Sequence, residues 1–311
     1  MKRIDAHYFP GWTRKSFTFT IDDGNVPLDE KFLSIVRPNG ILGTFNLCGA
    51  DLSRYSADFY RALYRGYEIA NHCKWHPYAF DPEKTYVFSD ETFDERVADA
   101  GKLYPVAGVR GLFWFRCASG WRKIADRACY ERLVMQGKEE LEQVFGEGRI
   151  VSFVWPYSMQ KDPALLSFLK EQGYRSVRTT GCVGDRSGFA LPADRTRWSY
   201  NAHHVGLREI GERYRAYPDD GELKFFCFGV HAHDYENGGL WGDLSRFAED
   251  FGNRPEEFWY ATVGDIFAYE DAVRALIVTK TEVRNESERT LYLKIDGKRI
   301  TLMPGSAVSL R

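Results

Sequence analysis

The chain has 311 residues, 44% of them hydrophobic and 28% charged, which is the balance of a globular protein with room for one large α/β domain and a small appendage. A formal net charge of −2 offers no electrostatic footprint for nucleic acid or for an anionic membrane surface, so neither is expected as a partner.

The first strong pattern is Phe17-Thr18-Phe19-Thr20-Ile21-Asp22-Asp23-Gly24. Alternating Phe, Thr and Ile predicts a strand, and the two carboxylates with a glycine predict its end at a turn. Residues 28–36 have helical spacing, 41–47 read as the next strand, and 57–64 as the next helix. Tyr67 to Asn71 then forms a short strand that delivers His72 at its far end. Strands and helices alternating at this interval predict βαβ units and a mainly parallel sheet or barrel.

Residues 77–120 read as a long irregular connection, which in a compact domain is more often a functional loop than a spacer. A long helix is expected over 123–144 and a buried strand over 150–155, followed by Pro156-Tyr157-Ser158. Pro163 opens a helix that Gly173 closes. Strands are expected over 174–179 and 223–230, the second running into His231-Ala232-His233-Asp234. Helices over 240–251 and 265–276 flank a closing strand at 258–262. From residue 277 the pattern changes to short strands with turns at Asp296-Gly297 and Pro304-Gly305. We therefore expect a catalytic domain over 1–276 and a small β appendage over 277–311.

No apolar run reaches membrane-spanning length, and no apolar stretch follows the basic residues near the start. The cysteines are scattered without a Cys-x-x-Cys pair, so reduced thiols and a cytoplasmic location are expected.

Chemistry concentrates at strand ends. His72 and His76, four apart, can direct two imidazoles at one ion, and Asp22-Asp23 closes another strand of the same sheet. In parallel α/β architectures such ends converge on one face. His203-His204 reads as a surface pair without a nearby carboxylate, and Cys73 as a structural thiol. Trp114, Trp241 and Trp259 read as packing.

Thr20-Ile21-Asp22-Asp23-Gly24 and His72-Cys73-Lys74-Trp75-His76 resemble the first two motifs of the polysaccharide deacetylases, carbohydrate esterase family 4. The resemblance implies a deformed (β/α) barrel with Asp22 as catalytic base and Asp23, His72 and His76 as ligands of one divalent metal, zinc by affinity order. Phe153-Val154-Trp155-Pro156-Tyr157-Ser158 resembles the third motif, which implies an oxyanion donor at the Tyr157 backbone. That motif usually opens with an Arg where Trp155 stands here, and Arg178 on the following strand is the candidate substitute. Val230-His231-Ala232-His233-Asp234 resembles the fifth motif, whose His is a general acid. Asp234-Tyr235-Glu236 and Trp259-Tyr260-Ala261-Thr262 resemble runs of a subgroup of the family, which sets His233 ahead of His231 for that role. The implied activity is metal-dependent hydrolysis of an amide, removing an N-acetyl group from an amino sugar or oligosaccharide. Hydrolysis of a cyclic amide or imide, or a carbohydrate-binding protein without activity, are the alternatives.

Overall fold

The computed structural model describes residues 2–157 and 161–311, so Ser158 of the third-motif run lies outside the described residues. Its centre is a sheet of eight strands: β1 (Lys15–Asp23), β2 (Thr44–Leu47), β3 (Glu68–Asn71), β4 (Ser152–Val154), β5 (Ser176–Cys182), β6 (Trp198–Tyr200), β7 (Lys224–His231) and β8 (Trp259–Tyr260). The strand order is β6-β5-β4-β3-β2-β1-β7, with β8 also paired to β1. Every pairing in it is parallel.

The sheet differs from a regular closed barrel. Among the described residues its two ends meet only beyond β6, where a single parallel bridge joins Ala202 to Phe228. Hydrogen bonds from Asn201 N to Cys227 O (2.7 Å) and from Gly229 N to Ala202 O (2.9 Å) hold that junction. The architecture is therefore α/β with a curled parallel sheet.

β1 shows why the sequence pattern works. Phe17, Phe19 and Ile21 are fully buried among the helices, with Phe17 packed on Phe226, Phe247 and Phe258. The alternate positions Ser16, Thr18, Thr20 and Asp22 are also buried but polar, and they meet hydrogen-bond partners on neighbouring segments. Period two thus separates an aromatic face from a polar interior face, and Asp22 is the last residue of the polar row.

Helices α1 (Val26–Val36), α2 (Ala57–Leu63), α3 (Arg127–Phe145), α4 (Pro163–Glu171), α5 (Leu207–Ala216), α6 (Ala232–Asn237), α7 (Trp241–Phe251) and α8 (Val263–Arg274) complete the fold. The helix expected from residue 123 starts at Arg127, because Gly120–Ala125 is a strand and Asp126 caps the helix by accepting from Cys129 N at 2.7 Å. That strand hairpins with Leu112–Cys117, and a four-stranded sheet with Tyr78–Ala79 and Tyr104–Pro105 occupies much of the stretch read as irregular. The C-terminal strands recruit the opposite end of the chain, with Ile4–Tyr8 pairing antiparallel to Leu291–Ile295. All six cysteines are free. Among the described residues no helix is long and apolar enough to cross a membrane.

α1 carries a buried acid that the helix pattern does not require. Asp29 is wholly inaccessible and accepts a hydrogen bond from Tyr64 Oη at 2.7 Å. Burial pushes its pKa up to about 8, against the smaller opposing effect of Tyr64. The folded protein therefore keeps a proton that the unfolded chain loses near pH 4, so stability falls as pH rises from about 4 to about 8. Asp29→Asn should remove this dependence. Its stability relative to the native chain should improve by up to about 1.4 kcal/mol per pH unit across that window and level off above it. Denaturant melts at pH 5 and pH 8 check this; a pH-independent difference between the two chains would exclude it.

Candidate active site

The C-terminal ends of the strands converge on a cleft of about 480 Å³ lined by Asp22, Asp23, His72, His76, Tyr157 and Arg178, with His231 at the end of β7 and His233 of α6 opposite. Asp22 ends the polar row of β1 and is buried. Asn46 on β2 donates to its Oδ1 at 2.7 Å, and Arg178 Nη2 donates to the same oxygen. Arg178 is itself 1% exposed, so the ion pair is nearly dehydrated. Burial alone would push the Asp22 carboxyl up, yet the Arg178 guanidinium, aided by His72 and His231, holds it below the usual carboxylate range.

Asp23 leaves the strand with φ of 78°, in the left-handed region that non-glycine residues rarely adopt. That turn swings its carboxylate away from the polar row toward the two imidazoles. His72 Nε2 and His76 Nε2 each lie 3.5 Å from Asp23 Oδ1. His72 Nδ1 is 2.9 Å from Val154 O, which leaves Nε2 facing the aspartate. The histidines do not sit on a helical turn, as their spacing suggested. Cys73 and His76 have φ of 65° and 55°, and this tight turn brings the two rings to 4.5 Å.

The turn is pinned from two sides. His72 N bonds Leu47 O at 3.0 Å, Gly49 N bonds Cys73 O at 3.1 Å, and Lys74 N bonds Leu133 O at 3.1 Å. Gly137 of α3 permits the approach, because a Cβ there would stand 2.7 Å from Asn71 Oδ1 and from the Cys73 carbonyl carbon. Cys73 is buried, as a structural thiol would be.

The ligand-capable atoms of Asp23, His72 and His76 all lie within 4.8 Å of one another. Asp23 Oδ1 and His72 Nε2 are buried without a hydrogen-bond partner among the described residues. Two buried, unpaired acceptors facing each other are costly unless a cation joins them, and two imidazoles with a carboxylate suit a divalent ion such as zinc. The residues therefore fit the metal that the sequence resemblance implies.

Across the cleft, His231 caps α6. Its Nδ1 is 3.0 Å from Asp234 Oδ2, and its Nε2 points back to Asp23 Oδ2 at 3.8 Å. Burial pulls its imidazolium down, but Asp234, Asp22 and Asp23 outweigh this and hold its pKa at about 9. His233, two residues on, stacks against His231 at 4.6 Å and reaches Asp234 only at 3.7 Å. Tyr157 follows Pro156 with φ of 66°, and its ring stacks on Tyr78 at 3.7 Å and 3°. Trp155 faces away into the core against Phe153 and Tyr130.

Sequence reasoning passed over Asn46, Tyr78 and Arg122, which arrive from β2 and from the hairpin sheet. It also read His203-His204 as surface, whereas His203 lines the cleft and Asp234 supplies the missing carboxylate. Trp114 and Trp241 pack on Phe93 and Tyr235, and Trp259 on Phe9, as expected of packing residues.

The polysaccharide deacetylase family model matches residues 12–177, which takes in both motifs and the whole candidate metal site. The chain belongs to the polysaccharide deacetylase family. Its fold is similar to that of a carbohydrate esterase family 4 enzyme from Streptococcus mutans (15% identity, TM-score 0.45, covering 79% of this chain and 85% of that one). It is also similar to the peptidoglycan deacetylase PdaC from Bacillus subtilis (14%, 0.44, covering 84% and 93%). Among curated proteins no relative matches.

If these three side chains hold a metal, His76→Ala should weaken tight zinc binding by more than the roughly 10–100-fold that loss of an outer partner costs. Calorimetric titration of the metal-stripped chain measures it, and an unchanged tight step would remove the site.

Proposed function

We propose that this deacetylase-family protein is a divalent-metal-dependent amide hydrolase that removes an N-acetyl group from an amino sugar or oligosaccharide. The observation that carries the reading is the Arg178-bound Asp22 beside Asp23, His72 and His76, with an Asp234-oriented histidine across the cleft. A binding module has no need of a buried, charge-compensated base. The curled parallel sheet is read accordingly as the deformed (β/α) barrel of this family. The free cysteines support a reducing, cytoplasmic setting.

A divalent cation held by Asp23, His72 and His76 would polarise the amide carbonyl and acidify a water molecule. Asp22 takes a proton from the attacking water. Both of its hydrogen bonds fall on Oδ1, so Oδ2 is the oxygen left to accept. Arg178 fills the place of the third-motif arginine from the next strand and fixes the plane of that carboxylate. The backbone N–H of Tyr157, turned by its positive φ, is assigned to the developing oxyanion. As the carbon–nitrogen bond breaks, an imidazolium hands its proton to the leaving nitrogen, and an amine and acetate result.

That imidazolium is assigned to His231, which reverses the preference drawn from the subgroup pattern. Asp234 holds His231 Nδ1 and so aims Nε2 at the cleft, while His233 lies in the first turn of α6 and is the more exposed of the pair. Asp234 follows both histidines in sequence but bonds only the first, which is what supports the change of assignment.

A second reading, hydrolysis of a cyclic amide or imide, is favoured by the enclosure of the cleft. Ser119 and Arg122 of the hairpin wall it beside the Tyr78–Tyr157 stack, which suits a small ring better than a polymer. Zinc-loaded protein assayed on N-acetylglucosamine oligosaccharides and on cyclic imides separates the two, and turnover of neither would defeat both.

Asp22→Asn should keep the metal and lose about 10²–10⁴-fold in turnover, since Asn is isosteric but takes no proton. Comparable activity in this variant would make Asp22 a structural group. Of the two histidine variants, His231→Ala should be nearly inactive and His233→Ala near normal; the opposite ranking would return the role to His233.

A further inference from the structure

Six of the chain's seven histidines, all but His7, gather at this one cleft, and only His72, His76 and His231 are used above. His203 and His204 stand on the loop that follows β6. The loop is rigidly based: Asn201 N bonds Cys227 O, Asn201 Oδ1 accepts from Cys227 N at 3.0 Å, and Ala202 O accepts from Gly229 N. The two rings lie 4.1 Å apart. Their ligand-capable nitrogens and a carboxylate oxygen of Asp234 all fall within 4.8 Å of one another.

Two details argue that this is more than a crowded rim. His204 Nδ1 is buried without a hydrogen-bond partner among the described residues, 3.9 Å from Asp234 Oδ2. A buried ring nitrogen left unpaired beside a carboxylate is a costly arrangement in water-excluded surroundings. Asp234 also has oxygen to spare: the bonds from His231 N and Nδ1 both fall on Oδ2, and the ion-pair partner of Oδ1 among the described residues is His233 Nε2 at 3.7 Å. The donor set, two imidazoles and one carboxylate, is the same in kind as that of Asp23, His72 and His76.

We propose that His203, His204 and Asp234 form a second divalent-cation site, for zinc or an ion of similar preference, on the far side of His231 from the first. The second site shares its carboxylate with the histidine that Asp234 orients, so it binds more weakly than the first. Filling it draws on the group that aligns His231, and excess metal is then a brake on the reaction.

The test is metal stoichiometry of the full-length chain and needs no substrate. Metal-stripped protein titrated with zinc should take up two equivalents, a tight one and a weaker one. His203→Gln and His204→Gln should each lose the weaker step, keep the tight one, and melt like the native chain. His76→Ala should do the reverse, so failure of the first site is distinguishable from failure of the second. With cobalt(II), visible d–d absorption should rise in two phases, the later one absent from the His204→Gln chain. A single equivalent in the native chain overturns the proposal. So does a second equivalent that survives both Gln substitutions but disappears in His233→Ala, which would move the ion to the neighbouring His231, His233 and Asp234 group.

Discussion

The buried pair of Arg178 and Asp22 is the interaction on which the cleft depends. It ties β1 to β5 across the interior of the curled sheet, between strands that are not neighbours. Taking both charges out of water is expensive, and removing one partner from such a pair typically costs about 3–5 kcal/mol. That expense is tolerable because Asn46 and the nearby histidines add to the compensation. The result is a carboxylate held below its usual range although burial alone would push it up. A carboxylate that is charged, dry and fixed in orientation is difficult to build in any other way, and the polar row of β1 ends at this residue.

The backbone around the cleft carries a second constraint. Asp23, Cys73, His76 and Tyr157 all have positive φ without being glycine, and three of the four line the cleft. Residues held in this way persist only where their surroundings over-determine them. Here the surroundings are visible: the 72–76 turn is bonded to the 47–50 segment and to α3, and Gly137 lets the helix approach. Glycine at positions 73 or 76 would relieve strain and surrender the side chains that the turn exists to aim.

Much of this was legible in the sequence where local pattern and chemistry coincide. Asp22, Asp23, His72 and His76 stand at strand ends, and strand ends of a parallel sheet meet on one face. Arg178 could be named only as a substitute, since its contact with Asp22 spans 156 residues and no spacing rule reaches that far. Asp234 lies thirty residues from His204 in the chain, so the carboxylate that changes the meaning of His203-His204 was invisible. The hairpin was missed for a different reason. Trp121-Arg122-Lys123-Ile124-Ala125 fits either period, and the capping residue Asp126 was the signal that separates strand from helix. The C-terminal strands likewise pair with Ile4–Tyr8, which no reading of 277–311 alone supplies.

The ionisable groups of the cleft form a continuous alternation. Arg178 faces Asp22, His72 and His76 face Asp23, His231 stands between Asp23 and Asp234, and His204 closes the row beside Asp234. No carboxylate in it lacks a cation or imidazole on at least one side, so the row lets three acids remain ionised in partly dehydrated space. His231 is the link both halves share, touching an aspartate at each ring nitrogen. Its protonation therefore cannot be separated from what occupies either side: a change of charge at Asp234 acts through Nδ1, and one at Asp23 through Nε2. That coupling makes the orientation of one imidazole, rather than the pattern of residues after it, the feature that sets the electrostatics of this end of the cleft.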